Sequence, residues 1–150
     1  MALAIFDLRG RLLLVRRPAA DREFPSAWGL PAASCRPGES PEEAARRVGP
    51  QKLGAPLRLT GVLARGRQDR PDYRMEMVLY LARLESSEPR LPPSTDGDVT
   101  LYEAWRWGQP EDLEPAARAG SLCSILLLES RHLWDPRRNG PSRPSATMGP

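Results

Sequence analysis

Five glutamates, Glu39, Glu42, Glu43, Glu76 and Glu103, are candidates for acid–base or metal chemistry, and Arg65, Arg67, Arg70 and Arg74 form the densest basic cluster, interleaved with Asp69 and Asp72. A carboxylate that reaches an attacking water in the bound complex can act as general base. A guanidinium offers a planar fork suited to phosphate oxygens. The only lysine is Lys52, so of the 22 basic residues 22 − 1 = 21 are arginine. Each group also has a plainer reading. Glu42 and Glu43 suit the first turn of a helix, where capping and the dipole favour acidic side chains. The arginine cluster suits a solvated hairpin tip, and Asp96, Asp98 and Glu103 suit a solubilising loop. His132 is the single histidine, and Cys35 and Cys123 lie far apart without a C-x-x-C pair. This rules out an ordinary zinc site and argues against a disulfide framework. There is no arrangement of nucleophile, base and orienting group, and no P-loop.

The elements that must position these residues are only partly legible. Ala4-Ile5-Phe6 and Leu12 to Val15 read as two short strands around the turn Asp7-Leu8-Arg9-Gly10. Ser40-Pro41-Glu42-Glu43 is a capping box with proline at the first helical position, so a helix from about Pro41 to Val48 is expected. Gly49-Pro50 should end it, because proline lacks the amide proton and clashes with the carbonyl four residues back. Gln51 to Leu53 would then begin a fresh turn. Leu57 to Ala64 and Arg74 to Leu84 read as strands with Arg65 to Asp72 as the connection. Met75, Met77, Leu79 and Leu81 alternate with Glu76, Val78, Tyr80 and Ala82, and apolar residues on both faces suit a strand buried in a sandwich. Glu76 then sits at the strand end in solvent or faces a cleft. Glu85 to Asp98 is loop, and Leu101 to Trp107 is a strand, after which Pro110 suits the start of a helix with Glu111 and Asp112 in its first turn. Leu122, Ile125, Leu126 and Leu133 fall near helical spacing for a final packed helix. Trp28, Trp105 and Trp107 suit a core or a base-stacking platform equally. Asp135 to Pro150 is rich in Pro, Arg, Ser and Gly, and disorder is expected there.

One segment resembles a known family. Trp28-x-Leu30-Pro31, Gly38-Glu39-Ser40, Glu43-Ala44-Ala45, Arg47 and Gly54 stand at the spacing of a Nudix box, and the late Glu103…Arg106-Trp107…Pro110…Leu113 passage is a weaker match. The box departs from its pattern at Ala33, Val48, Gly49, Gln51, Lys52 and Ala55. The resemblance implies an α/β fold, a Nudix-type α/β/α sandwich with a mixed sheet over residues 2–134, followed by the tail 135–150. It implies magnesium-dependent cleavage of nucleoside diphosphates linked to another moiety. It also implies a structural pairing of Glu39 with Arg47, a loop near Glu103 that can supply a base, and a possible homodimer.

In the family, three glutamates at the positions of Val48, Gln51 and Lys52 share one helix face, spaced i, i+3 and i+4, and converge on the metal. Magnesium needs oxygen ligands in near-octahedral geometry. The formal charge changes from −3 to +1, because Val48 and Gln51 are neutral and Lys52 is cationic. Two unit charges about 4 Å apart interact by roughly 4 kcal/mol at an effective dielectric near 20, and a dication by about twice that. A Lys52 directed at the site would therefore repel the metal. The expectation is a degenerate box with weak or lost catalysis and retained binding of a nucleotide-like ligand or a protein partner. The alternatives are an active hydrolase with a non-standard metal site drawn from Glu39, Glu43, Glu76 or Glu103, with Mg2+ as cofactor, and a purely structural remnant. For the sites, Glu39, Arg47 and Glu103 are the candidate catalytic residues, Arg65, Arg67 and Arg70 the candidate ligand contacts, and Glu39 and Glu43 the candidate metal ligands.

Size and composition agree with one soluble domain of 150 residues, 40% hydrophobic and 27% charged. A net charge of +3 spread along the chain argues against nucleic-acid binding. The apolar opening is too short for a signal peptide, and Leu122 to Leu128 is too short to span a bilayer. A cytoplasmic, reduced setting without membrane contact is the expectation.

Overall fold

A computed structural model describes residues 1–86, 88–92 and 101–139. Its elements in chain order are β1 (Ala2–Ile5), β2 (Leu12–Arg16), β3 (Trp28–Gly29), α1 (Pro41–Val48), a π-helical turn (Gly49–Leu53), β4 (Leu57–Asp69), β5 (Arg74–Leu84) and β6 (Ala104–Gly108). A 3-10 turn (Pro110–Leu113), α2 (Glu114–Arg118), α3 (Leu122–Ser130) and α4 (Pro136–Asn139) follow. One sheet has the order β1-β5-β4, with β1 parallel and β4 antiparallel to β5; the other has the antiparallel order β3-β2-β6.

Period-two alternation in β1 and β2 explains the layers. Ala2, Ala4, Leu12 and Leu14 join Met77 and Leu79 beneath α3, while Leu3, Ile5, Leu13 and Val15 join Ala44, Ala45 and Val48 of α1 on the opposite side. Strands covered on both faces read as unbroken apolar runs. Each Leu or Ile removed from water in this way contributes about 1.5–3 kcal/mol. The result is the mixed-sheet α/β/α sandwich that the sequence implies.

Three details differ from the sequence reading. First, β1 and β2 are not a laddered hairpin: β1 pairs with β5 from Ala2↔Leu79 to Ile5↔Ala82 and meets β2 through the single bridge Phe6↔Leu12. The turn between them is held by Asp7 Oδ1, which accepts from the amides of Arg9 and Arg11 at 2.9 and 2.8 Å. Second, β4 continues through Arg65 and Arg67 to Asp69, leaving only a short tip closed by Arg70 N donating to Tyr73 O at 2.8 Å. Composition misled there because the glycine is required: a Cβ on Gly66 would stand 2.9 Å from Leu126 of α3. Third, Leu133 lies beyond α3 and is 42% exposed, whereas Trp134 is buried. The chain reverses at His132, whose φ is +59°, and this directs Trp134 rather than Leu133 inward.

At the start of the tail, Asp135 O accepts from the amides of Arg138 and Asn139 at 3.0 and 2.8 Å, closing the turn of α4. The rest of the expected tail, residues 140–150, and the loop acids Asp96 and Asp98 lie outside the described residues.

Candidate functional site

The approach to the site is built by a charged clamp. Ser40 caps α1, its Oγ accepting from Glu43 N at 3.1 Å. Arg47 on the last turn of α1 returns to Glu39 with Nε at 2.8 Å from Oε2 and Nη2 at 2.9 Å from Oε1, and its Nη2 also donates to Ser34 O at 2.7 Å. Such bidentate pairs fix geometry as well as charge. Hydrogen bonds from Arg47, then from the Arg36 amide, hold the Glu39 carboxyl down at about 2. The loop 34–39 is thereby fastened to the helix.

Beyond Val48 the helix does not end as expected but widens. Pro50 has no amide proton to give to the carbonyl four residues back, and inserting one residue into the turn accommodates that loss. Gly49 O instead accepts from Gly54 N, five residues on, and from Ala55 N at 3.1 Å. Gly54 ends the turn with φ +60°, and a Cβ there would lie 1.7 Å from Arg90 O. No other residue type fits.

This turn decides where the three altered box positions point. Val48 is wholly buried in the core beneath α1. Gln51 accepts from Arg47 Nη1 at 3.3 Å. Lys52 is only 7% exposed; its Nζ donates to Ala32 O at 2.7 Å and lies 5.3 Å from the centre of the Tyr102 ring. Tyr102 completes the wall, its hydroxyl accepting from Ala32 N at 2.9 Å and donating to Ala32 O at 3.2 Å. Burial first, then the nearby charges of Arg17 and Arg47, bring the Lys52 ammonium down to about 8, with Asp21 opposing. Burial likewise pushes the Tyr102 hydroxyl up to about 12, so it remains a neutral donor.

Lys52 opens onto a cleft of about 660 Å³. Arg17, Arg36, Arg47, Arg74 and Lys52 line it with Glu23 and Glu76; Arg17, Arg47 and Arg74 pair with Asp21, Glu39 and Asp69 at 3.3, 2.8 and 3.0 Å, which leaves Arg36 and Lys52 as the lining cations without a salt bridge among the described residues. The amino group of Met1 lies in the same cleft and donates to Ala33 O at 3.0 Å. This arrangement can hold an anion. The donor set around Lys52, an ammonium, guanidinium groups and one carbonyl, does not fit the magnesium ion that the resemblance implies. Among the described residues, no group of three or more His, Cys, Asp or Glu side chains comes together as a metal site.

The residues singled out from sequence fall unevenly around this cleft. Arg47 lines it, with Glu39 clamped behind. Glu76 lines its rim, paired across the strands with exposed Arg67. Glu43 is exposed at the start of α1 and does not line the cleft. Glu103 is elsewhere: it accepts from Ala19 N at 3.2 Å and stands 3.5 Å from Arg16 Nε, tying down the segment after β2. Arg65 is exposed on β4, and Arg70 is engaged by Glu23 at 3.2 Å and Gln68 at 2.8 Å. The cleft arginines 17 and 36 were missed, as was the Ala32 carbonyl, whereas Arg74 is a member of the cluster singled out from sequence. Arg36 was the most accessible of these, since it stands inside the box three residues before Glu39. Trp28 is covered by the Arg106 guanidinium at 4.5 Å, and Trp105 and Trp107 pack edge to face at 6.2 Å.

Comparison with known proteins places this geometry. A family model for the NUDIX domain matches residues 1–125. A MutT NUDIX hydrolase from Burkholderia pseudomallei superposes with a TM-score of 0.58 at 28% identity, covering 74% of this chain and 81% of that one. A NUDIX hydrolase from Nitrosomonas europaea gives 0.65 at 16% identity, with 87% and 85% covered. An ADP-ribose pyrophosphatase from Streptococcus suis gives 0.59 at 22% identity, with 87% and 88% covered. No curated protein matches the sequence. With the family pattern spanning five-sixths of its length and the sandwich built around the clamped box, this chain belongs to the Nudix family.

Proposed function

We propose that this Nudix domain binds an anionic, nucleotide-like ligand in the cleft around Lys52, without a metal ion and with weak or no turnover. The observation that carries this reading is the Lys52 ammonium, buried at 2.7 Å from Ala32 O in a cleft that four arginines also line. An ammonium and several guanidinium groups neutralise phosphate oxygens directly, which is what the family's ion would otherwise do. Arg17, Arg36 and Arg74 take the phosphate-contacting role that sequence suggested for Arg65, Arg67 and Arg70. Glu39 and Arg47 serve the site by holding the loop that forms its wall. With the three box carboxylates replaced, no cluster of acidic side chains among the described residues takes over the activation of water.

Support also comes from the names of similar folds, which include an ADP-ribose pyrophosphatase and an Ap4A hydrolase. The test is thermal unfolding and product analysis with ADP-ribose, nucleoside triphosphates and dinucleoside polyphosphates, each in EDTA and in magnesium or manganese. A ligand that binds only the folded state at 100 times its Kd stabilises by about 2.7 kcal/mol, a rise in Tm of roughly 5–10 °C for a domain of this size. That rise is expected in EDTA, reduced at least tenfold in apparent affinity by Lys52→Met, with little product. Metal-dependent turnover abolished by Glu39→Gln would overturn the proposal in favour of an active hydrolase with another metal site. No shift with any compound would favour a structural remnant.

A further inference from the structure

We infer that Lys52 is a nucleophilic amine that condenses reversibly with the carbonyl of a phosphorylated aldehyde held in the cleft. This rests on the anionic-ligand reading above and goes beyond it, since it assigns covalent chemistry to the residue.

Four observations converge. Lys52 Nζ has one hydrogen-bond partner among the described residues, Ala32 O, where a fully solvated ammonium would have three acceptors. A neutral amine can keep that bond through one hydrogen and still present its lone pair. No carboxylate forms a salt bridge with it among the described residues. The charged groups facing it are predominantly cationic: Arg17 from the end of β2 and Arg47 from α1, with Asp21 the opposing acid and the Met1 amine close by. Burial beside other cations is the arrangement that activates lysine as a nucleophile. Finally, the amine borders a cleft of about 660 Å³ whose other basic side chains suit a phosphate. A lysine brought down to about 8 is neutral in about one molecule in ten at pH 7, against about one in three thousand for an unperturbed side chain.

The step balances without an oxidant or reductant. The Nζ lone pair forms a bond to the carbonyl carbon, and the carbonyl oxygen takes a proton to give a carbinolamine. That oxygen gains a second proton and leaves as water, Nζ having given up its two protons in the exchange, and a carbon–nitrogen double bond remains. Hydrolysis reverses every step, so the ligand is held and released rather than consumed.

Pyridoxal 5'-phosphate, a phosphorylated aldehyde, is the probe, trapped with borohydride on the full chain and read by intact mass and peptide mapping. Lys52 is the only lysine in the sequence, so an ε-amine adduct has one place to form. Expected are one adduct on Lys52, trapping at least tenfold slower with pyridoxal, which lacks the phosphate, and a yield that climbs from pH 6.5 through a midpoint near 8 and levels off above about 9. Lys52→Arg should keep the thermal shift and lose the adduct; should that variant not fold, the wild-type peptide map decides. A label on the Met1 amine with none on Lys52, or a yield still rising toward pH 10, would overturn the inference. Pyridoxine 5'-phosphate separates it from its foundation: a thermal shift without an aldehyde adduct defeats the imine and leaves anion binding standing, whereas no shift with either phosphate defeats both.

Discussion

The two halves of the box helix have met opposite fates. From Ser40 to Arg47 the capping hydroxyl, the proline at the first helical position and the Glu39–Arg47 clamp are intact, whereas from Val48 to Leu53 the helix is widened and its metal-ligand positions hold a buried valine, a glutamine and a buried lysine. The first half does work that folding requires. It fixes the loop 34–39 and packs Ala44 and Ala45 against the sheet. The second half seats Val48 and Leu53 in the core and directs Lys52 toward the Ala32 carbonyl and the cleft.

The sharpest way to break this contrast is at the end of the widened turn. Gly54→Val should cost more than about 3 kcal/mol, because it combines a positive φ with a backbone carbonyl in the path of the new Cβ. Chemical denaturation measures it, and a near-neutral result would mean that the turn can relax. Next, Arg47→Met should lower stability by about 2–3 kcal/mol, the scale of a charged, well-oriented hydrogen-bond set, read by the same method. Lys52→Met should do the reverse. A lysine whose folded value falls from 10.5 to about 8 carries a penalty of about 3 kcal/mol, of which the lost bond to Ala32 returns about 1. The variant should be about 2 kcal/mol more stable at pH 7. The sign follows from linkage: below about 8 both states are protonated and the full penalty stands, and between about 8 and 10.5 the unfolded chain binds the extra proton, so wild-type stability rises with pH and the gap closes. Urea titrations of both proteins from pH 7 to 9.5 test that closing gap.

Smaller effects sharpen the first half. Glu39 titrates at about 2 in the fold against 4.5 ordinarily, so its stabilisation is complete above about pH 4.5 and fades as pH falls toward 2. Acid unfolding should accordingly show a steeper loss in wild type than in Arg47→Met; parallel curves would deny the clamp its role. Smallest of all, Glu103→Gln should change stability by less than about 0.5 kcal/mol and leave ligand binding unaltered, since its pairing with Arg16 is exposed. A large loss of binding would return Glu103 to the site.

The legibility of the chain follows the same division. The cap at Ser40, the strands and the spacing of Glu39, Arg47 and Gly54 are local patterns, and local patterns survive in a sequence. The substitution at Lys52 was equally visible, together with its charge. What could not be read was direction. Proline at position 50 suggested a break, yet the backbone absorbs it as one wider turn, and whether Lys52 faces solvent or the cleft depends on that turn and on the Ala32 carbonyl 20 residues earlier. Arg17 joins the site from just after β2, a contact made by tertiary folding that leaves no spacing to find, whereas Arg74, a member of the conspicuous cluster, joins it from the start of β5. Arg65 and Arg67 were conspicuous for their density, but they lie on an exposed strand.

Because the chain contains a single lysine, one labelled Lys side-chain resonance reports directly on the altered box. An NMR titration of selectively labelled protein should show that resonance moving with a midpoint near 8, unchanged by millimolar magnesium and raised when ADP-ribose is added. A midpoint near 10.5, or a magnesium-dependent shift that ADP-ribose requires, would contradict a buried ammonium facing an anion-binding cleft.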